Sequence, residues 1–175
     1  MIAVAACLVI LGFISIANLL LTVALAKRLA QAPPKPGLQR VGTLRTVGSA
    51  TPEFSVMTDE ELPLNSVELQ NTTTLFGFFS TDCGGCRDAM PEFAAHASGA
   101  EGAVVAVITG DIAAAGDLAS PLRVIAASVV IGAEAAKLHA AFDVDLYPQF
   151  YLAANGKISS AAFSLRQLRA HTSVP

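Results

Sequence analysis

Two cysteines three positions apart, Cys83 and Cys86, stand between a strand pattern and a helix pattern. Residues 73–79 are rich in β-branched and aromatic side chains, which is typical of a buried strand. Residues 84–96 have the composition of a helix, which Pro91 is expected to bend. The chain must therefore make a strand, a tight connection and a helix, with both thiols near the start of the helix. This requirement constrains the fold more than any other feature of the sequence.

The position of Cys83 at the start of a helix favours the thiolate form of its side chain. The first N–H groups of a helix have no partner inside the helix, and the positive end of the helix dipole stabilises a negative charge there. The thiolate is the nucleophile in disulfide exchange, and a second thiol one turn further can resolve the mixed disulfide that forms. We therefore predict that Cys83 is the exposed attacking thiol and that Cys86 is the more buried resolving thiol. Asp82 is either a carboxylate that disfavours the thiolate or a solvated loop residue.

Three other interpretations of the cysteine pair stay open. A structural zinc site needs four ligands, and only His96 adds a candidate near the pair, so we predict no metal. A peroxidatic cysteine would follow a threonine and a proline at positions where this chain has Ser80 and Phe76. The third interpretation is an inert structural pair. The two glycines between the cysteines carry neither charge nor hydroxyl, so they do not set the direction of exchange, oxidation or reduction.

The rest of the pattern predicts an α/β domain, because strand and helix segments alternate along it. A short opening strand or hairpin is expected at 54–57. Further strands are predicted at 103–109, 122–127, 149–153 and 158–162, and further helices at 66–70, 112–119, 132–142 and 165–170. Asn155-Gly156 is a strong turn signal, so the last two strands should form an antiparallel hairpin. The central sheet is therefore predicted to be mixed and flanked by helices.

The N-terminal residues predict a membrane anchor. No charged side chain occurs from Ile2 to Ala26, a stretch longer than the roughly 20 residues that cross a bilayer as a helix. A cleaved signal peptide, the alternative, normally has a basic start and a shorter apolar core. We expect one transmembrane helix in 1–30 with the lipid bilayer as its partner, a Pro/Gly-rich linker in 31–50 and one domain in 51–175.

Charge and composition exclude two classes of protein and predict an orientation. Lys and Arg total 11 and Asp and Glu total 14, and the resulting net charge of −3 offers no basic surface for nucleic acid. An apolar fraction of 53% with only 14% charged residues excludes a disordered chain. Basic side chains follow the apolar stretch and none precedes it, so the positive-inside rule predicts that the domain faces the cytoplasm.

Four segments resemble the thioredoxin superfamily. Residues 78–93, which contain the CxxC pair and Pro91, resemble its active-site segment. Residues 51–54 resemble the domain opening of a membrane-tethered branch (TlpA/ResA-like), 143–152 resemble its cis-proline segment, and 155–158 resemble its hairpin. That branch contains the thiol-disulfide oxidoreductases of cytochrome maturation and sporulation. It also contains the methylamine utilization accessory protein, to which the chain is similar.

The resemblance implies a thioredoxin-like fold and a membrane-tethered thiol-disulfide oxidoreductase whose partner proteins carry the thiols or disulfides. It also implies that the domain lies outside the cytoplasmic membrane, which is the opposite of what the positive-inside rule predicts. A membrane protein is then expected as the electron donor, and the maturation of an extracytoplasmic protein is the expected role. Tyr147 and Pro148 are then expected to be joined by a cis peptide bond beside the cysteines and to contact the substrate. The cysteine pair itself carries two electrons, so no cofactor is implied. A tethered binding or maturation module without catalysis, and a thiol peroxidase, are the alternative functions.

The chain departs from this family in two places near the cysteines. Asp82 replaces the usual tryptophan before the first cysteine, and Gly77 replaces a buried acid six positions before it. The sequence therefore shows no evident proton acceptor for Cys86. His96 and His139 are expected on helix surfaces or in satisfied core positions, without a functional role.

Overall fold

Strand β3 (Thr74–Ser80) lies in the middle of the central sheet and divides the core into two layers. Successive side chains of a strand point to opposite faces of a sheet. Leu75 and Phe79 pack on one face, Phe76 and Phe78 pack on the other, and all four are buried. Because both faces are covered, the strand appears in the sequence as a continuous apolar run rather than as an alternating one.

The computed structural model describes residue 12, residue 15, and residues 43–125 and 127–172. Of residues 169–172 it describes the backbone only. The other strands of the central sheet are β4 (Ala103–Thr109), β5 (Ala127–Ile131), β6 (Gln149–Ala154) and β7 (Lys157–Ala162). The strand order is β5-β4-β3-β6-β7, in which β3, β4 and β5 are parallel and β6 and β7 are antiparallel to their neighbours. The sheet is therefore mixed, as predicted.

Helices cover both faces of this sheet. The described helices are α1 (Ser66–Leu69), α2 (Gly84–Ala97), α3 (Ile112–Leu118), α4 (Gly132–Phe142) and α5 (Leu165–Thr172). Helices α2, α3 and α5 pack on the face of Phe79, whereas α4 packs on the face of Phe76 with a two-stranded hairpin, β1 (Ser55–Met57) and β2 (Pro63–Asn65). The Phe142 ring of α4 lies 4.9 Å from that of Phe76 and 5.0 Å from that of Phe78, between centroids.

The prediction of a strand at 122–127 is wrong. Leu122 is the last residue of a 3-10 turn, Ser120–Leu122, and β5 begins only at Ala127. Pro121 lies at the start of that turn, where its fixed φ suits a helical turn and its missing N–H leaves no bond unmade. The β-branched residues 129–131 form the strand instead and pair with β4.

The predicted anchor, apart from residues 12 and 15, and most of the predicted linker lie outside the described residues. No helix in the described part of the chain is long and apolar enough to cross a membrane. The described end of the linker belongs to the same compact unit as the domain. The Arg45 guanidinium donates to the Ala141 carbonyl at 3.2 Å, and the Gly48 N–H donates to the Ile158 carbonyl at 2.7 Å.

Candidate active site

Cys83 and Cys86 lie where strand β3 ends and helix α2 begins. Cys83 is the N-cap residue of α2, and its sulfur accepts a hydrogen bond from the Cys86 N–H at 3.2 Å. The Cys83 side chain is partly exposed, whereas Cys86 is fully buried in the layer that contains Phe79. Both are free thiols. The structure therefore holds one thiol at the surface and the second thiol beneath it.

The end of strand β4 fixes the short loop that carries Cys83. The Thr81 N–H donates to the Thr109 carbonyl at 3.0 Å, and the Asp111 N–H donates to the Thr81 hydroxyl at 3.3 Å. Gly110 has a φ of +116°, and a Cβ at this position would lie 1.9 Å from the Thr81 hydroxyl oxygen. A side chain at Gly110 would therefore push this loop away from β4.

Burial raises the pKa of the Cys86 thiol to about 12, and its hydrogen bond with the Cys83 side chain acts in the same direction. The Ser80 N–H donates to the Cys86 sulfur at 3.4 Å and opposes these two effects. Cys86 therefore keeps its proton at neutral pH in the dithiol form, while Cys83 has an N–H donor directed at its sulfur.

The difference between the two thiols predicts selective alkylation. With a pKa of about 12, only about one Cys86 side chain in 10⁴ is ionised at pH 8, so iodoacetamide should modify Cys83 first and Cys86 at least about 100-fold more slowly. The modified residue is identified by peptide mass after timed quenching of the reduced chain. The Cys86 rate should rise about tenfold per pH unit below its pKa. The denatured chain is the control, and equal rates in the folded chain would contradict the assignment.

The chain returns to the cysteines at Pro148, which follows a cis peptide bond from Tyr147. The Cys83 thiol donates to the Tyr147 carbonyl, with a sulfur–oxygen distance of 3.6 Å. Pro148 and Gly85 line one cavity of about 280 Å³, and Phe163 lines it too. Tyr147 and Pro148, the two predicted substrate-binding residues, therefore both lie beside the cysteine segment.

The Tyr147 phenol has two partners that no motif in the sequence indicated. Its hydroxyl is hydrogen-bonded to His139 Nε2 on α4, and the Thr109 hydroxyl at the end of β4 is 3.1 Å away. The His139 and Tyr147 rings are stacked, with 5.3 Å between centroids. Burial lowers the pKa of His139 and raises the pKa of Tyr147, so the imidazole is neutral and the phenol is protonated at pH 7.5. His139 thus occupies a satisfied, half-buried position that adjoins the candidate site.

The acid that the resemblance would place behind the cysteines is replaced by packed aromatic rings. A Cβ at Gly77 would lie 2.6 Å from a ring carbon of Phe93, which is fully buried. Two carboxylates close to the cysteines in sequence, Asp82 and Glu92, are both exposed. Asp82 is therefore a solvent-exposed loop residue, and its effect on the Cys83 thiolate stays a prediction.

A second cavity, of about 360 Å³, reaches Cys83 from the space between α2 and α3. Its lining is mainly apolar, and it includes one positive and one negative side chain. These residues include Met90, Pro91, Leu118, Pro121, Arg87 and Asp117. The cavity is therefore suited to receive a side chain of a segment that approaches Cys83.

The groups that this site offers for chemistry are two thiols, a carbonyl, a phenol and an imidazole. In the part of the chain that the structure describes, no three histidine, cysteine or acidic residues are grouped so that they could hold a metal ion. The two thiols are the groups of this set that readily form and break a bond with another sulfur.

Comparison with solved structures shows what this architecture is similar to. The thioredoxin domain of a thiol-disulfide oxidoreductase from Bacteroides vulgatus matches with a TM-score of 0.58 and 14% identity, over 73% of this chain and 95% of that chain. A secreted disulfide oxidoreductase from Mycobacterium tuberculosis, described as homologous to E. coli DsbE, matches with a TM-score of 0.58 and 18% identity, over 68% and 92%. An exposed lipoprotein thioredoxin from Streptococcus pneumoniae matches with a TM-score of 0.55 and 17% identity, over 69% and 96%.

No protein-family model and no curated protein sequence matches the chain. The structural matches, together with the mixed sheet and the helices on both of its faces, identify a thioredoxin-like fold. The structural neighbours include thiol-disulfide oxidoreductases of the thioredoxin superfamily, among them DsbE-like proteins. The similarity to the methylamine-associated protein stays a prediction.

Proposed function

We propose that the chain is a thiol-disulfide oxidoreductase that exchanges disulfides with partner proteins. The observation that carries this proposal is the position of Cys83. Cys83 is partly exposed, and its sulfur lies at the N-terminus of α2 with a backbone N–H directed at it, the buried Cys86 nearby and the Tyr147 carbonyl beside it. Such a thiol is accessible to another protein, and the Cys86 N–H is placed to hydrogen-bond to its sulfur during the exchange.

The exchange takes place in two steps. The Cys83 thiolate attacks a disulfide of the partner, so that a bond forms between the Cys83 sulfur and one partner sulfur while the partner's own S–S bond breaks. The released partner thiolate takes up a proton. Cys86 then gives its proton to water or to the departing partner sulfur and attacks the Cys83 sulfur. The bond between Cys83 and the partner breaks, the Cys83–Cys86 disulfide forms, and the second partner sulfur leaves and is protonated to a thiol. Two electrons move from the dithiol to the partner, and the reverse sequence oxidises a partner dithiol.

The partner is held by its backbone beside Tyr147 and Pro148 and by a side chain in the cavity between α2 and α3. The cis-proline loop presents main-chain groups next to the Cys83 sulfur, and an extended segment can hydrogen-bond to such groups in the way that an added strand does. The cavity of about 360 Å³ is lined by Cys83 itself. Both features favour a protein segment with a cysteine as the substrate.

The reduced full-length chain should reduce the interchain disulfides of insulin in a detergent solution. One Cys83–Cys86 disulfide should form for each insulin disulfide that is reduced, because each exchange transfers two electrons. The readouts are insulin precipitation and the mass of the Cys83–Cys86 peptide. A rate no faster than that of the same concentration of a small dithiol would rule out the proposed function.

The membrane tether and the side of the membrane are part of the same proposal. The uncharged stretch from Ile2 to Ala26 supports a single-pass anchor. Two structural neighbours are described as secreted or exposed proteins, which supports a domain outside the cytoplasmic membrane. A thiol-disulfide oxidoreductase on that side would meet an oxidising compartment, where a membrane electron donor and immature extracytoplasmic proteins are suitable partners.

A membrane-impermeant maleimide should label Cys83 in intact cells, directly or after mild reduction. The labelled residue is identified by peptide mass, which separates Cys83 from Cys7 in the predicted anchor. Labelling without reduction would favour a reductase, whereas labelling only after reduction would favour an oxidant. Labelling that requires lysed cells would show that the domain faces the cytoplasm. Loss of the chain from the membrane fraction after alkaline carbonate treatment would contradict the anchor.

A further inference from the structure

Tyr147 connects the Cys83 sulfur to a hydrogen-bond network on the far side of the cis-proline loop. The Tyr147 carbonyl accepts a hydrogen bond from the Cys83 thiol at 3.6 Å. The phenol of the same residue is hydrogen-bonded to His139 on α4 and lies 3.1 Å from the Thr109 hydroxyl at the end of β4. One residue is thus held through its side chain by two rigid elements and contacts the attacking thiol through its main chain.

The donors and acceptors of this network match. Because burial lowers the pKa of His139, the imidazole is neutral near pH 7.5 and its Nε2 accepts the hydrogen bond from the Tyr147 hydroxyl. The Thr109 hydroxyl can donate to the Tyr147 oxygen at 3.1 Å or to the Phe79 carbonyl at 3.2 Å. The carboxylates of Asp143 and Asp145 act on His139 against the effect of burial. The half-buried phenol therefore has partners for both its hydrogen and its oxygen.

We propose that His139 and Thr109 are positioning residues for Cys83, because they hold the Tyr147 phenol and thereby hold the Tyr147 carbonyl at the Cys83 thiol. A phenol without these partners would turn toward water, since a half-buried hydroxyl without a hydrogen bond is unfavourable. The Tyr147 carbonyl would then no longer be held at hydrogen-bond distance from the Cys83 sulfur. The expected change in the rate of disulfide exchange rests on the proposed function, whereas the expected change in the reactivity of the Cys83 thiol does not.

The expected effects on the two kinds of reaction are opposite in sign. A carbonyl that accepts a hydrogen bond from the Cys83 thiol stabilises the protonated form, so releasing it should make Cys83 react faster with iodoacetamide. Releasing the loop should also make exchange with a protein disulfide slower, because the backbone that receives the partner is no longer fixed. General destabilisation would instead expose Cys86 and speed its alkylation as well.

The test is a double-mutant cycle on the alkylation rate of Cys83 in the reduced full-length chain. Tyr147→Phe and His139→Leu should each raise this rate about threefold or more, and the double variant should raise it no further. Cys86 should stay slow in all of them. His139→Gln, whose amide oxygen can accept from the phenol, should restore the rate to within about twofold of the unmodified chain. His96→Leu on α2 is the matched histidine control and should leave the alkylation rate of Cys83 unchanged.

Additive effects of the two single changes, an unchanged rate in His139→Leu, or failure of His139→Gln to restore the rate would each overturn the proposal. Thr109→Val removes the second partner while keeping a β-branched side chain, so it tests the network if His139→Leu does not fold. Insulin reduction is measured in parallel on every variant. If the unmodified chain reduces no insulin, the proposed function fails, but the alkylation cycle still decides the role of His139.

Discussion

Replacing Cys83 by serine should lower the rate of insulin reduction by on the order of 10³-fold or more, because a serine hydroxyl is not ionised at neutral pH and cannot form a disulfide. Within residues 43–125 and 127–172, no other group can take its place. Cys86 is fully buried, and burial raises the pKa of its thiol, so it is a poor substitute for Cys83 as the group that attacks a partner disulfide. The measurement is insulin turbidity with the full-length chain in detergent.

Replacing Cys86 by serine should have a different result. The first step still occurs, but the mixed disulfide between Cys83 and the partner has no resolving thiol and accumulates. A non-reducing gel should therefore show a covalent complex that dithiothreitol releases. The double variant Cys83→Ser/Cys86→Ser should trap nothing, and Cys7→Ser, which changes the cysteine of the predicted anchor, should behave like the unmodified chain. A complex that survives in the double variant would assign the trapped bond to Cys7 and contradict the mechanism.

The cysteine segment was predictable because its features are local in sequence. The apolar run before Cys83 and the helical composition after Cys86 specify the strand, the connection and the helix within about twenty residues, and the structure has all three. The hairpin at Asn155-Gly156 was predictable for the same reason. The strand at 122–127 was wrong because a short apolar run does not distinguish a buried turn from a buried strand.

The His139–Tyr147 contact was not predictable, because it depends on how a helix ends. Helix α4 is followed by Asp143 in the left-handed conformation, with a φ of 54°, and its N–H donates to the Ala140 and His139 carbonyls. This turn reverses the chain, so that Tyr147, which is eight positions after His139, lies against the His139 ring. Neither residue belongs to a periodic pattern that would mark the pair.

Gly77→Asp should lower the free energy of unfolding by about 4 kcal/mol, because it adds both overpacking and a buried carboxylate without a partner. The Cβ alone would lie 2.6 Å from a Phe93 ring carbon and 2.8 Å from a ring carbon of Phe79. Both rings are fully buried and packed edge to face, with centroids 5.2 Å apart, so neither can move without disrupting the packing of the other. The loss is measured as a shift of the urea midpoint by circular dichroism.

Gly77→Ala separates the two contributions to this loss. It keeps the overpacking without the charge, so it should lower the free energy of unfolding by about 2 kcal/mol. Gly116→Ala in α3 is the matched control, because a Cβ there meets no atom within 4 Å, and it should be neutral or stabilise the helix by up to about 1 kcal/mol. A tolerated Gly77→Asp would mean that the layer behind the cysteines can open for a carboxylate. If the expected loss is found, close packing of Phe93 against β3 explains why this chain has no acid there. Without an acid at position 77, the proton of Cys86 can go to the departing partner thiolate or to water.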